Sequence, residues 1–233
     1  MIEFVSLNSI KTDLLTIIRG AKVTQSETIS TRQIEKWVHE YRALLLKRDL
    51  DKNKFVNPDY VQEIPALELE QVDVGEGTTI NTGVYIYRTK LQLPKTIDLN
   101  YKSGFTSVST LFGVGIQLIP QSRFLWQKYK KYTSNDLICY LNGRYLYVQT
   151  QIPISFINVR GIFEVPPEVD LLVNPQVLTS GNYDEDTKYP IPINMVPVLK
   201  ELILKQELGI LYKQPSDNVN DSNLKVQPNI EQQ

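Results

Sequence analysis

At 233 residues the chain is long enough for one large domain or two small ones with ample core, and its 42% hydrophobic and 22% charged content argues against wholesale disorder. A formal net charge of −1 supplies no field to hold nucleic acid or an anionic membrane, which argues against DNA binding as a principal activity. One cysteine, Cys139, allows no intrachain disulfide, and no segment approaches the roughly 18 apolar residues of a membrane span.

The opening MIEFVSLNSIKTDLL has neither a basic leader nor an unbroken apolar run, so a soluble protein made in the cytoplasm is expected. Leu7, Ile10, Leu14, Ile17 and Ile18 then repeat at helical spacing between Ser6, a fitting N-cap, and Gly20, a fitting stop. Residues 29–51 form the strongest element. Ser30 and Gln33 make a capping box, Ile29 and Ile34 a hydrophobic staple, and Ile34, Trp37, Val38, Tyr41, Leu44 and Leu45 fall on one side of a 3.6-residue repeat. Glu35, Lys36, His39, Glu40, Ala43 and Lys47 are assigned to the opposite, polar side.

After Asn57-Pro58 the period changes to two. Strands are predicted over residues 66–74 and 84–87, with weaker candidates at 97–101 and 105–111. A short helix follows Pro120, carrying Phe124, Leu125, Trp126, Tyr129 and Tyr132. The segment DLICYL-NG-RYLYVQT predicts a hairpin turning on Asn142-Gly143, because both positions of a type I′ turn take positive φ. A third strand, ISFINVRGIFEV, is expected to complete a meander and to end at Pro166-Pro167. Residues 168–189 read as an exposed loop, a last helix starts after Asn194, and a polar arm follows Pro215.

These elements divide the chain into an N-terminal helical segment (1–62), a β-rich portion (63–189), a C-terminal helix (190–214) and the arm (215–233). The fold class is α+β.

Few residues are typed for chemistry. With one histidine and one cysteine far apart, neither a zinc site nor a Ser/His/Asp or Cys/His nucleophile is supported. Cys139 reads as a buried small hydrophobe and His39 as a surface residue one turn from Glu35. Glu68 with Glu70, and the run Asp184-Glu185-Asp186, are the carboxylate groupings that could do acid-base work. The first pair shares the solvent face of a strand, and the second lacks the alternating ligands and glycine of a calcium loop. The Gly75/Gly77 and Gly113/Gly115 pairs lack a following helix and are not phosphate loops. KYKKY at 128–132 mixes basic and aromatic residues as single-strand binders do, but a helix with tyrosines inward and lysines outward explains it. Thirteen tyrosines, among them Tyr85, Tyr87, Tyr140, Tyr145, Tyr147, Tyr183 and Tyr189, suit either a tyrosine-rich sheet or surfaces buried against other subunits.

The runs RGAKVTQSETISTRQIEKWVHEYRALLLKRDLDKN, PALELEQVDV, YRTKLQLPKTIDL, GRYLYVQTQIPISFINVRGIFEVPPEV and PIPINMVPVLKELILKQELGILYKQPSDNVND resemble, in sequence and order, a virion structural protein of tailed phages, best matched in the crAss-like phages. The resemblance implies a non-enzymatic ring or head-to-tail adaptor protein of the neck. It implies a helical module built from both ends of the chain with an antiparallel β portion inserted, in a closed, dodecameric ring below the portal. Portal and other neck or tail proteins are the implied partners. No cofactor, metal, membrane or specific nucleic acid is implied, although the genome passes through such a ring. It carries over no functional residue. Residues 179–190 and the arm are the segments expected to order on a neighbour, with Tyr183, Tyr189, Asp217 and Asn218 as interface candidates. The competing readings are an enzyme acting on surface polymers through Glu68 or the Asp184-Glu185-Asp186 run, and a DNA-end-binding module using KYKKY.

Overall fold

The computed structural model describes residues 4–18, 29–53, 55–72, 85–100, 103–127, 136–150, 152–173 and 184–209. Helix α1 (Leu7–Ile18) is followed by α2 (Thr31–Lys52), where the Ser30 side chain accepts from the Gln33 backbone N–H at 3.2 Å. Helix α2 is buried on two sides. Ile34, Trp37, Val38 and Tyr41 meet α1 and the last helix, while His39, Arg42, Leu46 and Leu50 make a second buried stripe. That second stripe keeps the 3–4–4 spacing of a helix face. It escapes a hydrophobicity pattern because two of its four members are His and Arg.

Seven strands follow: β1 (Gln62–Gln71), β2 (Tyr85–Thr89), β3 (Phe105–Thr110), β4 (Gly115–Leu118), β5 (Ile138–Asn142), β6 (Tyr145–Thr150) and β7 (Phe156–Gly161). They close into a barrel in the order β1-β2-β6-β5-β4-β3-β7. The α+β class therefore holds, but the sheet is a closed and mixed one, since β4 and β5 run parallel. A parallel pair needs a crossover, and α3 (Gln121–Gln127) lies within it, packed against β5. The described part of the predicted 120–132 helix ends at Gln127; residues 128–132 lie outside the described residues.

The expected meander is corrected as well. Strands β5 and β6 pair, but β6 takes β2 on its other edge, so β7 crosses the barrel and inserts between β1 and β3. The hairpin turn also sits one residue later than the Asn-Gly signal suggested. Asn142 pairs with Tyr145, and Gly143 and Arg144 occupy the turn with φ of 57° and 68°. Arg144 holds that left-handed conformation through its side chain, which donates from Nε to the Leu93 carbonyl at 2.9 Å and from Nη2 to Glu168 at 3.2 Å. In β1 the ladder slips at Pro65-Ala66. Proline has no N–H to pair, and the Ala66 N–H goes to Asn158 Oδ1 at 2.9 Å.

Pro166 and Pro167 do not open an exposed loop. They start α4 (Pro166–Val173), since a proline's fixed φ and missing N–H suit a first turn. Residues 184–189 are likewise structural: Lys188 bridges to Ser6, and the Tyr189 N–H donates to the Val5 carbonyl at 2.9 Å. Helix α5 (Val196–Ile203), with Pro197 in its first turn, continues into a π-helical turn, Leu204–Leu208.

Among the described residues four buried clusters result, the smallest being Val72, just past β1, with Ile86, Tyr140 and Tyr147 of β2, β5 and β6; the other three organise the fold. Leu7, Ile10, Leu14, Trp37, Val38, Leu199 and Ile203 unite α1, α2 and α5. Leu67, Val108, Ile116, Leu146, Val148, Ile157 and Val159 fill the barrel. Leu46, Leu50, Tyr60, Ile97 and Ile162 join the two. The strand directions put Tyr60, Ile162 and α2 at one end of the barrel. The C-terminal ends of β1, β3 and β6 lie at the other, called the mouth below.

Candidate interaction surface

At the mouth, the β3–β4 turn and the β6–β7 connection leave a groove of about 490 Å³. Its described lining, Thr110, Leu111, Phe112, Val114, Leu137, Thr150 and residues 152–156, contains no charged side chain. Phe112 is 95% exposed and Ile152 70%, with Leu111, Val114 and Phe156 also open to solvent. The local chain explains the shape. Gly113, at φ 81°, turns β3 into β4, and Thr110 Oγ1 accepts from the Val114 N–H at 3.2 Å. Thr150 Oγ1 donates to the Ile152 carbonyl at 2.7 Å and accepts from the Ile152 N–H at 3.0 Å. Both floor hydroxyls are thus engaged with their own loops, leaving an apolar wall. Interface cores carry this depletion of charge and enrichment in aromatics. Sequence reasoning missed the groove. The available signal was LFGV, apolar side chains at a turn where polar ones are the rule.

The residues singled out for chemistry are scattered. Glu68 pairs with Lys90 at 3.0 Å and Glu70 with Arg88 Nη2 at 2.6 Å, cross-strand on the outside of the barrel. Asp184 Oδ1 accepts from the Asp186 N–H at 3.1 Å, Asp186 Oδ1 accepts from Asn8 at 2.9 Å, and Glu185 binds Lys11. The acidic run therefore staples its segment to α1. Cys139 is wholly buried inside the barrel, and burial pushes its thiol up to about 12. No group of three or more potential metal ligands occurs among the described residues, and no described helix is long and apolar enough to cross a membrane.

His39 is not a surface residue. It is buried, with Nδ1 2.8 Å from Tyr189 Oη and Nε2 3.7 Å from Glu35. Burial, then the positive charges of Arg42 and Lys11, lower its pKa to about 4, so the ring is neutral. Tyr189, an interface candidate, is fully buried within its own chain, its hydroxyl on His39 and its ring 5.4 Å from the Arg42 guanidinium. It therefore offers no surface to a neighbour. Tyr183, Asp217, Asn218 and KYKKY lie outside the described residues. Two more tyrosines are used internally: Tyr140 and Tyr147 stack at 5.0 Å, with Phe124 of α3 against Tyr140.

Among the described residues, the mouth presents an exposed apolar face of the kind that interface cores use. Comparison with known proteins agrees. The family described as phage tail ring protein 2 matches residues 9–232. The chain belongs to that family. It is also 26% identical over 188 residues to Ring protein 2 of Bacteroides phage crAss001, a match covering 78% of this chain and 82% of that protein. Membership makes it a structural ring protein of a crAss-like phage.

Proposed function

We propose that this member of the tail ring protein 2 family is a subunit of the head-to-tail neck, forming a closed dodecameric ring below the portal and acting through shape and contact. The observation that carries this reading is the difference between the two ends of the molecule, a helical cluster at one and, among the described residues, an exposed apolar groove at the other. A ring of identical chains uses heterologous contacts, in which each subunit offers two different patches. A stacked ring also needs distinct upper and lower faces. The net charge of −1 suits a lumen through which a genome slides without being gripped.

In this reading residues 1–62 and 190–214 work as one helical module, and the barrel is an insertion between them. The arm and the neighbourhood of Tyr183, Asp217 and Asn218 meet adjoining copies. The test is electron microscopy of the purified protein, alone and mixed with portal. Twelvefold rings that cap the portal are expected. Particles of another symmetry, or portal left bare at micromolar protein, would overturn the reading.

A further inference from the structure

The apolar, exposed groove at the mouth can be matched against the part of the chain that lies outside the described residues. The described chain stops at Gly209, in the turn that follows α5, which is part of the helical cluster remote from the mouth. Residues 210–233 continue from there, and the family match runs on through residue 232, so the arm belongs to what was matched. After the polar stretch from Ser216 to Asn223, the arm presents Leu224, Val226 and Ile230, separated by Lys225, Gln227, Pro228 and Asn229. In an extended strand Leu224 and Val226 point to the same side, with Lys225 on the other. Such a segment fits an apolar groove without bringing a charge into it.

We propose that residues 224–230 of one copy seat in the barrel-mouth groove of the next copy in the ring, an inference that rests on the ring reading above. The arm is long on the scale of the barrel: fourteen residues lie between Gly209 and Leu224, fifteen Cα steps or about 50 Å when extended. The ten-residue β1, the longest strand, spans about 33 Å. An arm folded onto its own mouth would fill the groove and contribute nothing to closure. An arm passed to the neighbour links every subunit to the next, the head-to-tail arrangement that a ring requires. The two surfaces are then a groove that offers apolar walls and an arm whose Leu224, Val226 and Ile230 fill it.

Two full-length variants, Ile152→Cys in the groove and Ile230→Cys in the arm, test this when mixed, oxidised and mapped by mass spectrometry. The native Cys139 is wholly buried and brings no competing thiol. A 152–230 disulfide joining two chains is expected. It should drop at least tenfold when Phe112→Asp is added to the Ile152→Cys chain. Phe112 is 95% exposed, so that substitution should leave the melting temperature unchanged. Rings that form without the 152–230 link would overturn the arm exchange while sparing the neck reading. A link found only within single chains of the double variant would do the same. Wild-type protein that never forms rings, with or without portal, would defeat both.

Discussion

Lowering the pH should destabilise this protein through His39, and the size of the effect follows from its burial. In the folded chain His39 has a pKa of about 4 against an ordinary 6.5, with desolvation as the main cause and Arg42 and Lys11 adding to it. Between those two values the unfolded chain binds a proton that the folded chain refuses. His39 therefore favours folding fully above pH 6.5, and that contribution is lost as pH falls through 4. A shift of about 2.5 units is about 3 kcal/mol in the limit, and between pH 7 and pH 4.5 linkage gives a loss of about 2.5 kcal/mol. Glu35, 3.7 Å from Nε2, is the carboxylate facing the ring and would limit the penalty by pairing with the imidazolium. The comparison is with His39→Gln, whose amide can still meet the Tyr189 hydroxyl and does not titrate. Urea denaturation of both proteins at pH 7 and pH 4.5 isolates the difference. The wild type should lose about 2.5 kcal/mol more than the variant. Parallel losses, within about 0.5 kcal/mol, would mean that His39 is hydrated and not held neutral by burial.

Three further perturbations follow from the same packing. Arg42→Met keeps the volume but strands the Phe163 and Pro190 carbonyls, which the guanidinium meets at 2.9 and 2.8 Å; a loss of about 3 kcal/mol in denaturant stability is expected. Gly104→Ala places a methyl group 2.6 Å from Thr96 Cβ and 2.8 Å from the Ile97 carbonyl, and should lower the melting temperature with a cost of about 2 kcal/mol. Ser30→Ala removes the hydroxyl that caps α2 and should cost about 1 kcal/mol by the same measurement.

Helix α2, its cap and much of the strand content were legible because each rests on local chemistry: a capping serine, a 3.6-residue apolar repeat, the two-residue alternation from residue 66, and the Asn142-Gly143 turn signal. The barrel was not legible. Closure depends on which strand edges meet, and nothing local in ISFINVRG says that β7 will leave β6 and insert between β1 and β3. The turn at Gly143-Arg144 was displaced from the Asn-Gly signal by a tertiary hold, the grip of Arg144 on Leu93 and Glu168. His39 and Tyr189 were misplaced for one reason. Each reads as a surface or interface type when taken singly, and only the approach of two segments 150 positions apart lets them satisfy one another in the interior. The groove was hidden because turns were read for their glycines and prolines, while the apolar residues between them were assigned to strands.

The buried stripe on α2 also bears on ring closure. A ring closes only if each subunit holds its contact surfaces at a fixed mutual angle. If the two surfaces lie on the helical cluster and on the barrel, as proposed, that angle is set across the small cluster of Leu46, Leu50, Tyr60, Ile97 and Ile162. Apolar burial is non-directional and tolerates sliding. The Arg42 hydrogen bonds are directional: from one helix the guanidinium grips Phe163, just past the end of β7, and Pro190, at the return to the helices. Lysine, a point charge with no planar fork, could not span the two carbonyls in the same way. If orientation is what Arg42 secures, Arg42→Lys should retain most of the fold and lose ring yield disproportionately. Particle counts normalised to folded protein measure that ratio, and a yield that merely tracks stability would leave Arg42 with a packing role alone.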